Sequence, residues 1–411
     1  MKKFFKKHLG LIFLIILVLV FPTGLSNQAK LNMRIIVTGL AIDKTGEEYE
    51  VTAQIVKATP GNEKPGTSAT IDFVSDKATT ISEAMSKISY KSGKVSAFSH
   101  TNLIILGEGV RGEKTTKCLD YFIRDKIVKS STMLVFSNKK ASDEIKKTKT
   151  IDLSVGLGLQ KTFLYKEYES DGIMTTVLDF VTKSSSFGKC AVASELKFQS
   201  EKSEGETSQQ NSSESSSSQL STTGGESQGS QKTEYLVSKA PIMCFEKGEF
   251  KGKLESDEEI NGYMFASQKA KSADFVVDEI KHKNLETAKV TIIMKDKITF
   301  SKVEYKNNKP ILTISVVVNN AEIAEILNEK SIINISPDEY KAIETALKKH
   351  IQKNIHTCFD KSKTLGVDLF GAYEKAYKFK YKETTKKYKT TKEFVDDLTL
   401  NVDVKVQKLD Y

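Results

Sequence analysis

The first clear pattern is a run of apolar positions from Arg34 to Asp43, followed by a second β-rich run from Tyr49 to Val56. Lys44-Thr45-Gly46-Glu47 separates them with turn chemistry, which predicts an antiparallel hairpin. Thr80 and Glu83 have the spacing of a capping box, and Ile81, Ala84, Met85 and Ile88 then fall on one helical face. Thr101 to Leu106 reads as a short apolar strand ending in a Gly107 and Gly109 turn. Glu113 to Arg124 reads as a second helix, with Cys118, Leu119 and Phe122 inward and an i,i+4 pair between Asp120 and Arg124. Thr132 to Ser137 adds another strand.

Residues 201–230 break the pattern with 11 Ser and 3 Thr and a single large apolar residue, Leu220. No core can form from such a composition. As a random coil the tract spans roughly 30 Å, and it reads as a linker or a protruding loop. Beyond it, Pro241 to Glu246 and Phe250 to Leu254 form a hairpin pattern, and Asp257 to Met264 a short helix. Ala288 to Met294 and Ile311 to Val318 alternate as β-branched strands. Ser336, Pro337 and Glu339 give two helix-start signals on one turn, and Ile343, Leu347, Ile351 and Ile355 continue as a stripe that ends before Gly366. Leu398, Leu400, Val402, Val404 and Val406 alternate with polar residues, so one face of this last strand is buried. The fold class is α+β, with two to three mixed α/β domains whose sheets are rich in antiparallel pairs.

The chain opens differently. Lys2, Lys3, Lys6 and Lys7 precede an apolar run from Leu9 to Phe21, the signature of a secretory signal or a membrane anchor helix. Positive residues stay inside, so everything after about residue 26 is exported. The expected division is residues 1–26 as signal or anchor, 27–198 as an N-terminal domain, 199–232 as the Ser-rich segment and 233–411 as a C-terminal domain. A further split near 268–285 is left open. The formal charge of +9 is read as spread along the chain, which argues weakly for an anionic neighbour such as a lipid surface and only weakly for nucleic acid, and no nucleic-acid partner is assigned. Cys118, Cys190, Cys244 and Cys358 lie far apart and without C-x-x-C spacing. They read as buried unpaired thiols and not as a zinc site.

No motif forces a catalytic mechanism. H-E-x-x-H, G-x-S-x-G and the phosphate-cradling G-x-x-x-x-G-K-[ST] are absent, and Gly156-Leu157-Gly158 reads as a loop without the third glycine of a dinucleotide site. The five histidines do not cluster, and His350 and His356 point to different faces of one helix. His100 opens an apolar strand, where its imidazole can hydrogen-bond a carbonyl. No metal, cofactor or catalytic residue is assigned, and the chain is read as a non-enzyme.

Several segments in fixed order resemble the Ger(x)C family of spore germination proteins, the C subunits of germinant receptors. L-N-M-R-I-I-V-T-G-L-A-I-D at 31–43 resembles the family's opening strand, and F-S-H-T-N-L-I-I-L-G-E at 98–108 its most recognisable motif. C-L-D-Y-F-I-R-D at 118–125, C-F-E-K-G-E-F-K-G-K-L at 244–254 and G-V-D-L-F-G at 366–371 are similar to the remaining signatures. Typical members carry a lipid-modified cysteine after Thr-Gly, whereas this chain has Leu25 after Thr23-Gly24 and no nucleophile to lipidate.

The resemblance implies a non-enzymatic, membrane-associated receptor component on the outer face of the inner spore membrane, partnered by integral-membrane A and B subunits. Membrane attachment would then fall to residues 9–21 or to those partners. The candidate interaction residues are Phe98, Ser99, His100, Thr101, Asn102, Gly107 and Glu108, together with Asp368, Phe370 and Gly371. The competing reading is an exported sensor holding a small ligand in an interdomain cleft, with a cell-wall hydrolase behind it.

Overall fold

The computed structural model describes residues 33–58, 69–111, 115–124, 127–150, 152, 154–200, 234–328 and 335–411. The Leu9–Phe21 run, Leu25 and most of the Ser-rich tract lie outside them.

The first regular elements of the described residues are strands β1 (Arg34–Thr45), β2 (Glu48–Ala58) and β3 (Ala69–Ala78), helix α1 (Ile81–Ser92), and strands β4 (Val95–Ala97) and β5 (Leu103–Leu106). Helix α2 (Thr115–Arg124), strand β6 (Met133–Ser137), helices α3 (Ala141–Lys147), α4 (Val155–Tyr168) and α5 (Val177–Ser185) and strand β7 (Cys190–Leu196) follow. Strands β1, β5, β6 and β7 run parallel at the centre of a nine-stranded sheet. All four residues of β5 and all five of β6 are buried, as parallel strands covered on both faces require. Val37, Leu40 and Ile42 pack with α1, α2 and α5, while Ala41, Leu103 and Ile105 pack with α3 and α4 on the other face.

Strands β8 (Phe198–Ser200) and β9 (Glu234–Leu236) pair antiparallel, with Ser200 opposite Glu234. This pairing brings the residues that flank the Ser-rich tract together. The hairpin of β10 (Ile242–Glu246) and β11 (Glu249–Leu254), placed by sequence order in the second domain, joins the first sheet through β7.

Helix α6 (Asp257–Ala266) leads into a second, five-stranded sheet. That sheet holds β12 (Ala273–Val277), β13 (Lys289–Lys306) and β14 (Lys309–Leu327), closed by β15 (Thr399–Val406) and β16 (Leu409–Asp410). Asn307 and Asn308 both take positive φ, 51° and 62°, as a two-residue hairpin turn of this hand demands. Helix α7 (Pro337–Leu365) begins with the full capping box of Ser336 and Glu339 and buries Ile343, Leu347, Ile351 and Ile355 against the sheet. Helices α8 (Ala372–Phe379), α9 (Tyr381–Lys387) and α10 (Thr391–Asp397) precede β15.

Some local expectations change. Thr80 caps α1 by accepting the Glu83 N–H at 3.2 Å, but the Glu83 carboxylate turns to Lys87, so the reciprocal half of the capping box is not made. Gly156-Leu157-Gly158 is the first turn of α4 and not a loop, capped by Ser154. A Cβ on Gly156 would stand 2.3 Å from the Thr38 carbonyl oxygen, so glycine here allows the helix to rest on β1.

The two sheets meet through α6 and α7. Ile242, Cys244 and Leu254 of the first sheet share one core cluster with Ile260, Met264, Cys358 and Val367. Gly262 makes the closest approach, since a Cβ there would lie 1.9 Å from the Asn354 carbonyl oxygen. Gly262→Ala therefore pushes α6 off α7, at a cost of about 1–3 kcal/mol. Denaturant unfolding checks this, expecting a lower midpoint with the slope unchanged.

Candidate functional site

Two family-like motifs turn out to be built on the same device, a buried aspartate that caps a short helix. Asp43, at the end of β1, accepts hydrogen bonds from the Ala141 and Ser142 N–H groups at 2.7 and 2.9 Å. Asp368, between α7 and α8, accepts from the Ala372 and Tyr373 N–H groups, both at 2.8 Å. In each case a carboxylate satisfies orphan donors at a helix start.

The 98–108 motif wraps around this first device. Phe98 to His100 form a single 3₁₀ turn. Thr101 is buried, and its carbonyl accepts the Thr132 hydroxyl at 2.8 Å. Asn102 uses its backbone, donating to the Thr38 carbonyl and accepting from the Met133 N–H. Gly107 donates its N–H to the Ile42 carbonyl, and a Cβ on it would overlap Asp43 Oδ1 at 2.0 Å. Phe98 is half-buried, so solvent reaches Ser99, His100 and Glu108, the last paired with Arg111 at 3.1 Å. His100 makes no side-chain hydrogen bond to the described residues; the expected carbonyl contact is not made.

The second motif stands elsewhere, in a cleft of about 570 Å³ between the two sheets. Its walls come from α5, β7, α6, the 368–371 turn and α8. Gly371 takes φ +63° at the cap of α8, and Phe370 lies 6.1 Å from Phe359, centroid to centroid. No hydrogen bond or ion pair among the described residues joins the two motifs.

The cleft's charges largely face one another. Lys183 of α5 pairs with Glu374 of α8 at 3.5 Å, and Lys269 pairs with Glu167 at 3.5 Å. Burial raises Glu167, outweighing Lys269 and the Met174 N–H. Burial likewise lowers Lys375, whose ammonium reaches the Ser301 hydroxyl. Behind the cleft Lys297 is buried and pushed down to about 7, with its ammonium donating to the Ser267 carbonyl at 2.7 Å. No disulfide forms among the described residues; Cys118, Cys244 and Cys358 are buried and Cys190 is half-buried at the cleft wall. No group of three His, Cys, Asp or Glu among the described residues could hold a metal ion.

A third surface escaped the sequence reading. Leu157, Leu164, Tyr165 and Tyr168 of α4 are exposed by 36, 50, 67 and 48%. Their spacing of seven, eight and eleven residues puts them on one helical face, pointing away from the sheet. Because the opposite face is also apolar, no amphipathic period marked the helix. The signal available was an apolar stripe without an inner partner.

The comparisons with known proteins agree with this architecture. Residues 27–198 match the family model of the spore germination protein N-terminal domain, and residues 242–408 match the model described as spore germination B3/GerAC like, C-terminal. The chain is 24% identical to spore germination protein KC of Bacillus subtilis (strain 168) over 414 residues, covering 97% of this chain and 94% of that protein. The crystal structure of the GerBC protein superposes with a TM-score of 0.52 at 16% identity, covering 90% of this chain and 96% of that one. A mixed two-sheet fold with these motifs defines the class of germinant-receptor C subunits. The chain belongs to the Ger(x)C family of spore germination proteins.

Asp368 gives a pH test of the cleft. Burial raises its carboxyl from 3.8 to about 6, against the Ala372 and Tyr373 N–H groups and Lys375. A carboxyl that holds its proton more tightly in the fold lends stability at low pH and loses it as pH rises through the folded value. Relative to Asp368→Asn, the wild type should gain up to about 3 kcal/mol as pH falls from about 7 to 4. Unfolding curves across that range measure the difference, and a pH-independent gap would contradict it.

Proposed function

We propose that this protein is a non-enzymatic, membrane-associated component of a spore germinant receptor. In this reading it acts in subunit assembly and germinant signalling on the outer face of the inner spore membrane. The observation that carries the reading is the ordered match of both halves of the chain to germination-protein family models. The Lys-flanked apolar run at residues 9–21 supplies an attachment that does not need a lipidated cysteine. No helix among the described residues is long and apolar enough to cross a membrane.

The chemistry of the buried carboxylates supports a non-enzymatic role. Asp43 and Asp368 each accept two backbone N–H groups, so both carboxylates are built into helix starts. The α4 stripe is the kind of apolar surface that docks another protein, and the integral A and B subunits are its occupants in this account. The solvent-facing part of the 98–108 motif, Ser99, His100 and Glu108, is a second contact.

A small-ligand sensor is the second reading, favoured by the volume of the cleft. It is weaker because Lys183, Glu374, Lys269 and Glu167 already pair with one another.

Deleting residues 98–108 would remove β5 from the centre of the sheet, so surface substitutions are the sound test. Leu164→Asp with Tyr165→Asp should lower recovery of integral-membrane partners with the tagged protein at least tenfold, the loss of an apolar docking face. A Ser99→Arg, His100→Glu, Glu108→Lys variant should lower it less. Recovery at wild-type level by both variants, folded and equally abundant, would contradict the assembly role.

A further inference from the structure

Whole-chain charge hides a local concentration. Residues 372–392 hold eight lysines and two glutamates, a net +6 of the chain's formal +9, so the excess is not spread along the chain. Tyr373, Tyr377, Phe379, Tyr381 and Tyr388 are interleaved with them. Lys378, Lys380, Lys382, Lys386, Lys389 and Lys392 are exposed and form no ion pair with the described residues. Phe379 and Tyr381 are 70 and 54% exposed. Tyr377 stacks on Phe187 at 3.9 Å and meets Tyr381 edge-on at 5.0 Å, so the aromatic surface continues from α8 and α9 onto the loop before β7.

We infer that this basic aromatic surface, centred on Lys378, Phe379, Lys380, Tyr381 and Lys382, docks on the headgroup region of an anionic phospholipid bilayer. The inference rests on the membrane-associated reading above and adds a contact made by the folded part of the chain. Lysines bring the surface to anionic headgroups, and their stems snorkel around aromatic rings that enter the interface. A single-stranded nucleic acid would need ring faces open for bases to stack upon. Here Phe187 and Tyr377 occupy one another's faces.

The topology places this surface at the end of the central strands where β1 starts. Ile42 pairs with Leu106, Leu106 with Phe136 and Phe136 with Glu195, all in parallel strands. Counting back eight residues from Ile42 reaches Arg34, and from Glu195 reaches Phe187. The Phe187 loop and the start of β1 therefore lie at the same end of the parallel strands. Met33 lies twelve residues beyond Phe21, a reach of at most about 40 Å from the end of the apolar run.

The chain contains no Trp, so Phe379→Trp installs a single fluorescent reporter at an exposed position. The full-length variant would be mixed with vesicles of phosphatidylcholine alone or with phosphatidylglycerol, each with and without brominated acyl chains. The expected result is a blue shift and bromine quenching on the anionic vesicles alone. Each Lys→Ala change at 378, 380 or 382 should weaken that response about fivefold. Protein that floats with the vesicles while its reporter stays unquenched would overturn this surface and leave the membrane-associated reading standing. Protein that does not float at all would overturn both. A reporter that responds to a single-stranded oligonucleotide but not to anionic vesicles would replace lipid with nucleic acid as the partner.

Discussion

Burying a carboxylate is tolerable only when hydrogen bonds replace the water it gives up, and this fold uses that constraint twice. Asp43 ties the end of β1 to the start of α3, and Asp368 ties the end of α7 to the start of α8. Asp43 sits at the hairpin end of β1, and Asp368 in the turn between α7 and α8. Gly107 must lack a side chain because Asp43 occupies its space. Gly366 and Gly371 take positive φ on either side of Asp368 so that the turn can bring its carboxylate onto the next helix. Motifs that look like recognition signals in the sequence are thus in large part the corners that hold the two sheets in place.

The second constraint is the seam. Helix α7 covers the second sheet along its length, and its C-terminal part also packs on α6 and the β10–β11 hairpin of the first. A Cβ on Gly252 would stand 2.5 Å from a Leu365 methyl, and Gly262 lies against Asn354, so both contacts depend on missing side chains. The seam and the cleft share residues, since Tyr263, Leu369 and Phe370 pack into the cluster between the sheets and also line the cleft.

Periodicity in the sequence revealed elements whose polar and apolar sides differ. Helix α7, with its double start signal and inward stripe, and β15, with its strict alternation, were legible for that reason. Helix α4 was not, because Leu157, Leu164 and Tyr165 face outward while Leu159 and Phe163 face inward. Strands β13 and β14 extend well past the expected runs: beyond Met294 the buried positions of β13 are Lys297 and Thr299 while Ile298 and Phe300 are exposed, which inverts the hydrophobic alternation, and beyond Val318 strand β14 continues through Asn319 and Asn320. The cleft could not be read at all, as its walls are brought together only by the meeting of two sheets. The basic aromatic surface was readable as alternation of Lys with Tyr and Phe, and was lost by averaging charge over the chain.

The central claim, a germinant-receptor subunit held at the membrane without a lipidated cysteine, is tested most directly by fractionating sporulating cells that express the C-terminally tagged full chain. Mass spectrometry would read both its N-terminus and its companions. The account predicts an uncleaved N-terminus in the membrane fraction, released by detergent together with integral-membrane partners. A processed terminus near residue 27 in the soluble fraction, without partners, would contradict it.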